Sequence, residues 1–472
     1  MKKIFNNKKF LIFSLFTSFS LFLTTFINKE SDYMWHVKAG EYMFNHGPIV
    51  RDVFSWSLKG AYWMSHEWLF EVMIYILKKL MGNVSLVFYV FICIMTILFI
   101  IYTYNKEKME KRLFMTLLWT VCCSVLICYI QVRPHLVSYI LFTLTMYFIY
   151  DLLNNEKSKK IYFLPLLTIL WSNLHGGSSN LGYLMCFIVL FAGLFTFRFP
   201  KFFSKSITKD QLLKLLFVGL ISILCTAINI HGFKMTIYPY TNMMDKTMLD
   251  NILEWRVTNI NDITHMLFFV IAILIFFILL CSKKKIRFID LVLFGVGVFL
   301  GLKSIRFWAY LYIISSFFVF DYVEEFEFHY FKYAVLFANI MFIGFFLINI
   351  NRLYKEINNN YVFADEKIIN KIKEVKPERL YNIYNVGGEL IYHDIPVFID
   401  GRADLYSQNG LFQDYLNIDG LDLDFKSQLN RFNFDYYLTT VGGKLDNYLT
   451  SHDLVEKVIS SNGLVLYKNK TS

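Results

Sequence analysis

Runs of 16–20 apolar residues recur along the first 350 positions of this 472-residue chain, each near the length that crosses the hydrocarbon of a bilayer. Candidate spans are roughly 9–28, 84–103, 113–130, 136–153, 161–174, 180–197, 211–229, 264–281, 288–302, 306–322 and 332–350, about eleven in all. Only 18% of residues are charged, against about a quarter in soluble domains, and the mean hydropathy is +0.44. The pattern predicts an α-helical polytopic membrane protein. The formal charge of +10 does not point to nucleic acid, because Lys and Arg cluster between apolar runs as orientation signals do. All seven cysteines lie in or at the ends of apolar runs, without the spacing of a zinc site or a disulfide framework. "MKKIFNNKKF" precedes an apolar run with no small-residue cleavage site, so it reads as a retained first helix. Abundant Lys, Asn, Ile and Phe point to an AT-rich bacterial genome.

The basic exits "NKEKMEKR" (105–112), "NNEKSKK" (154–160), "RFPKFFSKSITK" (198–209) and "SKKKIR" (282–287) predict one cytoplasmic side, together with the N-terminal lysines. The acidic "DYVEEFEFH" (321–329) breaks that alternation. The opposite exits hold nearly all the unusual polar groups: the loop 29–83, "QVRPH", "NLHGG", "NIHG", "EWRVTN" and "KSIR". In the first loop, "HEWLFEVMIYILKKL" (66–80) is too short to span. Its apolar residues recur at helical spacing opposite Glu67, Glu71 and Lys78, which predicts a helix lying in the interface plane. Residues 351–472 shorten to strand-length runs, "PVFID", "FDYYLTT" and "GLVLY", with helical "DEKIINKIKEV" between them. They predict an extracytoplasmic α/β domain following a transmembrane domain over 1–350.

The outer face carries the chemistry. On a helix, Asp32, Trp35 and His36 share a side, and a carboxylate there can act as a general base; alternatively Ser31 or Asp32 caps that helix. Capping leaves Asp52, His66 and Glu67 in the same loop unexplained. Arg133, Arg256, Lys303 and Arg306 stand at outer helix ends, where they suit phosphate oxygens or snorkel to headgroups. His175 and Asn173 in "WSNLHGG", like His231 in "NIHG", sit where helices stop, so each is either a structural cap or a ligand contact. Tryptophan is concentrated on the outer side (Trp35, Trp56, Trp63, Trp68 and Trp255), either as an interfacial belt or as stacking faces for sugar rings. No Walker, dinucleotide or HExxH motif occurs. A site on this face has no ATP or nucleotide sugar, so its activated substrate arrives most simply as a lipid-linked phosphate.

"SDYMWHVKAGEYMFNHGPIVRDVFSWSLKGAYWMSHEWLFEVMIY" resembles the first outer loop of bacterial GT-C-type membrane glycosyltransferase-like proteins, which read D-x-W-W-H-L, G-x-I-P-x-x-D-x-F-S and H-E-W-L. "VRPHLVSY", "LTILWSNLHGG", "EW" and "FIDGRADLY" fit the same pattern. Met34 stands where those proteins carry a second tryptophan, Ser31 separates Glu30 from Asp32 where paired acids are usual, and their "NPYG" turn reads "NIHG". By analogy with protein O-mannosyltransferases and lipid A aminoarabinose transferases, the resemblance implies a GT-C-like fold and a polyprenyl-phosphate sugar donor. It implies Asp32 as the base, with His36 in support, and a glycan, lipid or protein acceptor among membrane lipids. Arg133 and Arg306, with Lys303 and Arg256, would bind phosphate. Asp52, His66, Glu67, Asn173, His175, Trp35 and Trp255 would shape the pocket. Glu30 and Asp32 could share one Mg²⁺ or Mn²⁺. The expected activity is glycosyl transfer on the outer face of the cytoplasmic membrane. The rival readings are a polysaccharide polymerase or ligase, a non-catalytic binder of lipid-linked sugar, and a transporter.

Overall fold

A computed structural model describes residues 7–27, 29–125, 131–198, 207–252, 257–325 and 330–470. Parts of the predicted exits at 198–209, 254–259 and 321–329 lie outside these residues. The chain divides into two compact units. The first comprises Met1–Asn28, Leu86–Tyr240 and Ile252–Lys355; the second comprises Lys29–Ser85, Thr241–Asn251 and Glu356–Ser472.

Within the first unit every expected span carries a helix, from Lys8–Thr24 through His135–Asn154 and Asn180–Arg198 to Phe331–Asn358. Among the described residues, four helical stretches are long and apolar enough to cross a membrane: Val84–Lys111, His135–Asn154, Gly176–Arg198 and Phe331–Asn358. Leu113–Val125, Lys160–Leu174 and Met266–Leu280 are apolar but shorter. The expected 306–322 span is broken into Trp308–Ser316 and Val319–Tyr322. The 105–112 exit is not a loop. Helix Val84–Lys111 runs through it, because Lys and Glu are good helix formers and Asn105 donates to the Ser316 carbonyl (2.8 Å). Several buried polar groups find partners inside this unit, which offsets the cost of leaving water. Asp290 accepts from Tyr150 (2.9 Å), Tyr322 (2.6 Å) and Arg287 Nε (2.9 Å), and Trp119 donates to Ser316 (2.8 Å).

The second unit joins the first outer loop to the C-terminal segment. Its four-stranded sheet has the order β1-β2-β4-β3, from β1 (Leu380–Asn382), β2 (Tyr436–Thr440), β3 (Val455–Ser461) and β4 (Leu464–Asn469). β1 pairs parallel with β2, and β2 and β3 both pair antiparallel with β4. Asn462 and Gly463, both at positive φ, make the tight turn between β3 and β4, the backbone twist such hairpins require. "FDYYLTT" and "GLVLY" are therefore strands as expected, and "DEKIINKIKEV" is helix Glu366–Val375, capped by Asp365 on the Ile368 amide (3.0 Å).

"PVFID" is not a strand. Pro396 cannot donate to a ladder, and Val397 forms only an isolated parallel bridge with Ser55. The side chain of Asn382 takes over instead, accepting from Phe398 N (2.8 Å) and donating to the Ile399 carbonyl (2.8 Å). The first loop docks on this segment: Trp56 N donates to Val397 O (3.0 Å), Trp56 Nε1 to Leu380 O (3.1 Å), and the Trp56 ring stacks on Phe398 at 5.6 Å. One core then spans Trp35, Ala39, Ile49 and Trp63 of the loop and Ile368, Tyr381, Phe398, Tyr437 and Leu466 of the tail.

Candidate functional site

Helix Ser31–His46 begins after Glu30 in extended backbone, and no side chain caps it. Asp32 stands in the first turn, after the N-cap. It is half-buried, and its Oδ1 accepts the indole N–H of Trp35 (3.3 Å), one turn along the same face. Behind it lies Gly401 of "FIDGRADLY": a Cβ there would sit 2.0 Å from Asp32 Oδ1. Gly388 likewise leaves room for Ser31, whose carbonyl oxygen would be 2.3 Å from an added Cβ. Both glycines let the tail close on the start of this helix.

Helix Trp68–Met81 does not present its acids to solvent. It packs on helix Ser31–His46 so closely that a Cβ on Gly40 would be 2.0 Å from the Glu71 carbonyl oxygen. Glu71 is 1% exposed. This corrects the expected polar face: a glycine on the partner helix permits backbone contact, and His36 supplies a polar partner. His36 Nδ1 lies 3.4 Å from Glu71 Oε1, and Nε2 lies 3.6 Å from Glu67 Oε2. The chain of alternating groups continues, with Glu67 Oε1 3.0 Å from His66 Nε2 and His66 Nδ1 3.8 Å from Asp404 Oδ2. Burial, reinforced by the neighbouring Glu67, pushes the Glu71 carboxyl well above its ordinary range. Burial alone would lower His66, but Glu67 and Asp404 beside it raise it.

Asp52 is committed to structure. Arg402 Nη1 donates to its Oδ1 (2.5 Å), while Arg402 Nε and Nη2 grip Asp400 (2.8 and 2.6 Å). Phe54 and Ser55 amides close on Asp52 (3.2 and 3.0 Å), Tyr406 O–H donates to Asp400 (2.5 Å), and the guanidinium lies 4.7 Å from the Trp63 ring. The three charged side chains are fully buried.

In the first unit His175 and Arg306, far apart in sequence, meet: Arg306 Nη2 donates to His175 Nε2 (3.2 Å). Because Arg cannot accept, Nδ1 carries the imidazole proton and donates to Ser138 (2.6 Å) and Ser178 (2.9 Å). Trp171 donates to the same Ser138 oxygen (2.8 Å). Asn173 donates to the Ile228 carbonyl (2.9 Å) and accepts from Asn229 (3.2 Å), tying "WSNLHGG" to "NIHG". Lys303 is exposed at the end of helix Phe288–Lys303, and Arg133 is half-buried, its carbonyl accepting from Tyr89 (2.9 Å). Trp255 and Arg256 lie outside the described residues.

Sequence reasoning gave Glu71 only a place on a helical face, offered the "DGRADLY" segment (400–406) for acceptor recognition or as cover for the cleft, and did not single out Ser138 or Ser178. "HEWLFE" spaces Glu67 and Glu71 one turn apart, which was a usable signal. The serines beside His175 left none. Among the described residues, one group of metal-ligating side chains gathers its donor atoms within 4.8 Å of one another: His36, Glu67 and Glu71. Neither Glu30 nor Asp32 belongs to it.

No family model matches the chain, and a search of curated proteins found no match. Solved structures do match. The oligosaccharyltransferase of Archaeoglobus fulgidus in its apo form aligns with a TM-score of 0.55 at 12% identity, covering 97% of this chain and 74% of that one. The same enzyme tethered to an acceptor peptide containing the NVT sequon gives 0.57 at 10% identity, covering 98% and 74%. The AglB structure holding an inhibitory peptide and a dolichol-phosphate gives 0.57 at 12%, again over 98% and 74%. The likeness is one of fold, and it runs through both units.

Proposed function

We propose that this chain is a membrane glycosyltransferase that moves a sugar from a polyprenyl phosphate to an acceptor hydroxyl on the outer face of the cytoplasmic membrane. The observation that carries the reading is the fold, shared over 97–98% of the chain with an oligosaccharyltransferase solved with an acceptor peptide and with dolichol-phosphate. Asp32 takes the proton of the acceptor hydroxyl. The oxygen then attacks the anomeric carbon, the bond from that carbon to the phosphate oxygen breaks, and polyprenyl phosphate leaves with the electron pair. A single displacement inverts the anomeric centre. Trp35 holds the Asp32 carboxylate in one orientation, and His36 braces the same helix through Glu67 and Glu71.

Arg306 offers its fork to the phosphate and stabilises the charge that grows on it as the bond breaks. His175 is its positioning residue. Arg133 and Lys303 add positive charge for the same headgroup. The overall test is mass spectrometry of cell-envelope glycans with and without the protein. A sugar modification that disappears with the protein supports the reading, and an unchanged glycan profile refutes it.

Two further outcomes probe individual roles. Arg306→Ala is expected to weaken binding of a labelled polyprenyl-phosphate sugar by about 10–100-fold, the worth of a charge-assisted hydrogen bond of ~1.5–3 kcal/mol. Unchanged affinity removes Arg306 from the donor site. Gly401→Ala drives a methyl group into the position of Asp32 Oδ1. Turnover is expected to drop about 10²-fold, as a misplacement near 1 Å can cause, while donor binding holds. Wild-type turnover in that variant means that the Asp32 carboxylate does not need its observed place.

A further inference from the structure

We infer that His36, Glu67 and Glu71 form a binding site for a divalent transition-metal ion of the Zn²⁺ or Mn²⁺ class. Three observations converge on it. One donor atom from each residue lies within 4.8 Å of the other two, so small side-chain adjustments bring all three to ordinary coordination distance of a single ion. The two helices approach closely, with the Glu71 backbone against Gly40, which fixes where the donors stand. The third observation is Glu71 itself. It is 1% exposed, its Oε1 faces His36, and its Oε2 has no hydrogen-bond partner among the described residues. A carboxylate oxygen with no donor is costly in the interior, and here a second carboxylate, Glu67, adds repulsion.

The charged neighbours of Glu71 are Glu67, Asp404 and Arg402. Arg402 already spends its fork on Asp52 and Asp400. A neutral imidazole, two carboxylates and one dication sum to zero, which suits a closed site. Mixed imidazole and carboxylate donors select transition ions over Mg²⁺ or Ca²⁺, which favour all-oxygen shells. Glu67 and Glu71 stand one helical turn apart, so one helix offers two donors on one face and its partner offers the third. Bound there, the ion clamps the two helices of the first loop and locks the segment that carries Trp35 and Asp32.

The test uses the purified full-length protein in detergent, stripped with chelator and titrated with Zn²⁺, Mn²⁺ and Co²⁺. Calorimetry is expected to give one equivalent per chain, and bound Co²⁺ should develop visible absorption bands. Glu71→Gln and His36→Asn are each expected to weaken binding by more than about 100-fold, beyond what loss of an outer hydrogen-bonding partner costs. The exposed Glu374→Gln should bind as the wild type does. Asp32→Asn should also bind normally, which separates this site from the glycosyl-transfer reading: either can fail without the other. The inference is overturned if none of the three ions binds stoichiometrically, or if binding survives both Glu71→Gln and His36→Asn.

Discussion

Asp32→Asn is expected to lower sugar transfer by about 10²–10⁴-fold, the contribution typical of a positioned general base, with folding left intact. The amide has nearly the shape of the carboxylate and keeps an oxygen for the Trp35 indole, whose bond to Oδ1 is 3.3 Å long. Asp32 lies in the first turn of the helix and is not its N-cap residue, which is Glu30. Losing one negative charge in the first turn costs about 0.3–1 kcal/mol at most. What disappears is the carboxylate proposed as proton acceptor. The measurement is transfer of labelled sugar in vesicles, set beside donor binding by the same variant. Binding should persist while transfer stops, and transfer near the wild-type rate would dismiss Asp32 as the base.

Arg402→Met is expected to destabilise the second unit by about 3–5 kcal/mol, because it strands two buried carboxylates at once. Asp52 and Asp400 both lose their cation while fully buried, and the guanidinium also leaves the Trp63 face. For a unit of this size the thermal midpoint should fall by roughly 6–20 °C. Asp52→Asn should cost less, since Arg402 retains both oxygens of Asp400. Changing Asp52, Asp400 and Arg402 together to uncharged residues should recover much of the loss, because no buried charge is then left alone. Intrinsic-fluorescence melting checks the series. A midpoint that does not move in Arg402→Met would mean that the ion pairs contribute little to holding loop and tail together.

What could be read beforehand follows from the range of each interaction. The shared face of Asp32, Trp35 and His36 is a helical repeat, and the contact between Trp35 and Asp32 follows from it. The Asn462–Gly463 turn is local, and so are the Asp365 cap and the helices over the apolar runs. The burial of Glu71 was misread because periodicity reports which residues share a side of a helix, not what comes to cover that side. Gly40 was the missing clue, and its meaning emerges only once two helices are paired. The Asp52–Arg402 bond joins residues 350 positions apart, and the Arg306–His175 bond joins residues 131 apart. Neither leaves a trace in local pattern. "PVFID" had the composition of a strand, yet Pro396 and the Asn382 side chain turned it into an extended segment paired to the first loop.

The same 350-residue gap sets a timetable for biosynthesis. At roughly 5–20 residues per second, Asp52 emerges about 20–70 s before the ribosome has made Arg402. Throughout that wait the early segment has apolar rings and acids without their eventual cover, and any premature stop after the last hydrophobic helix leaves them so permanently. A stop codon anywhere before Arg402 therefore leaves Asp52 without its cation.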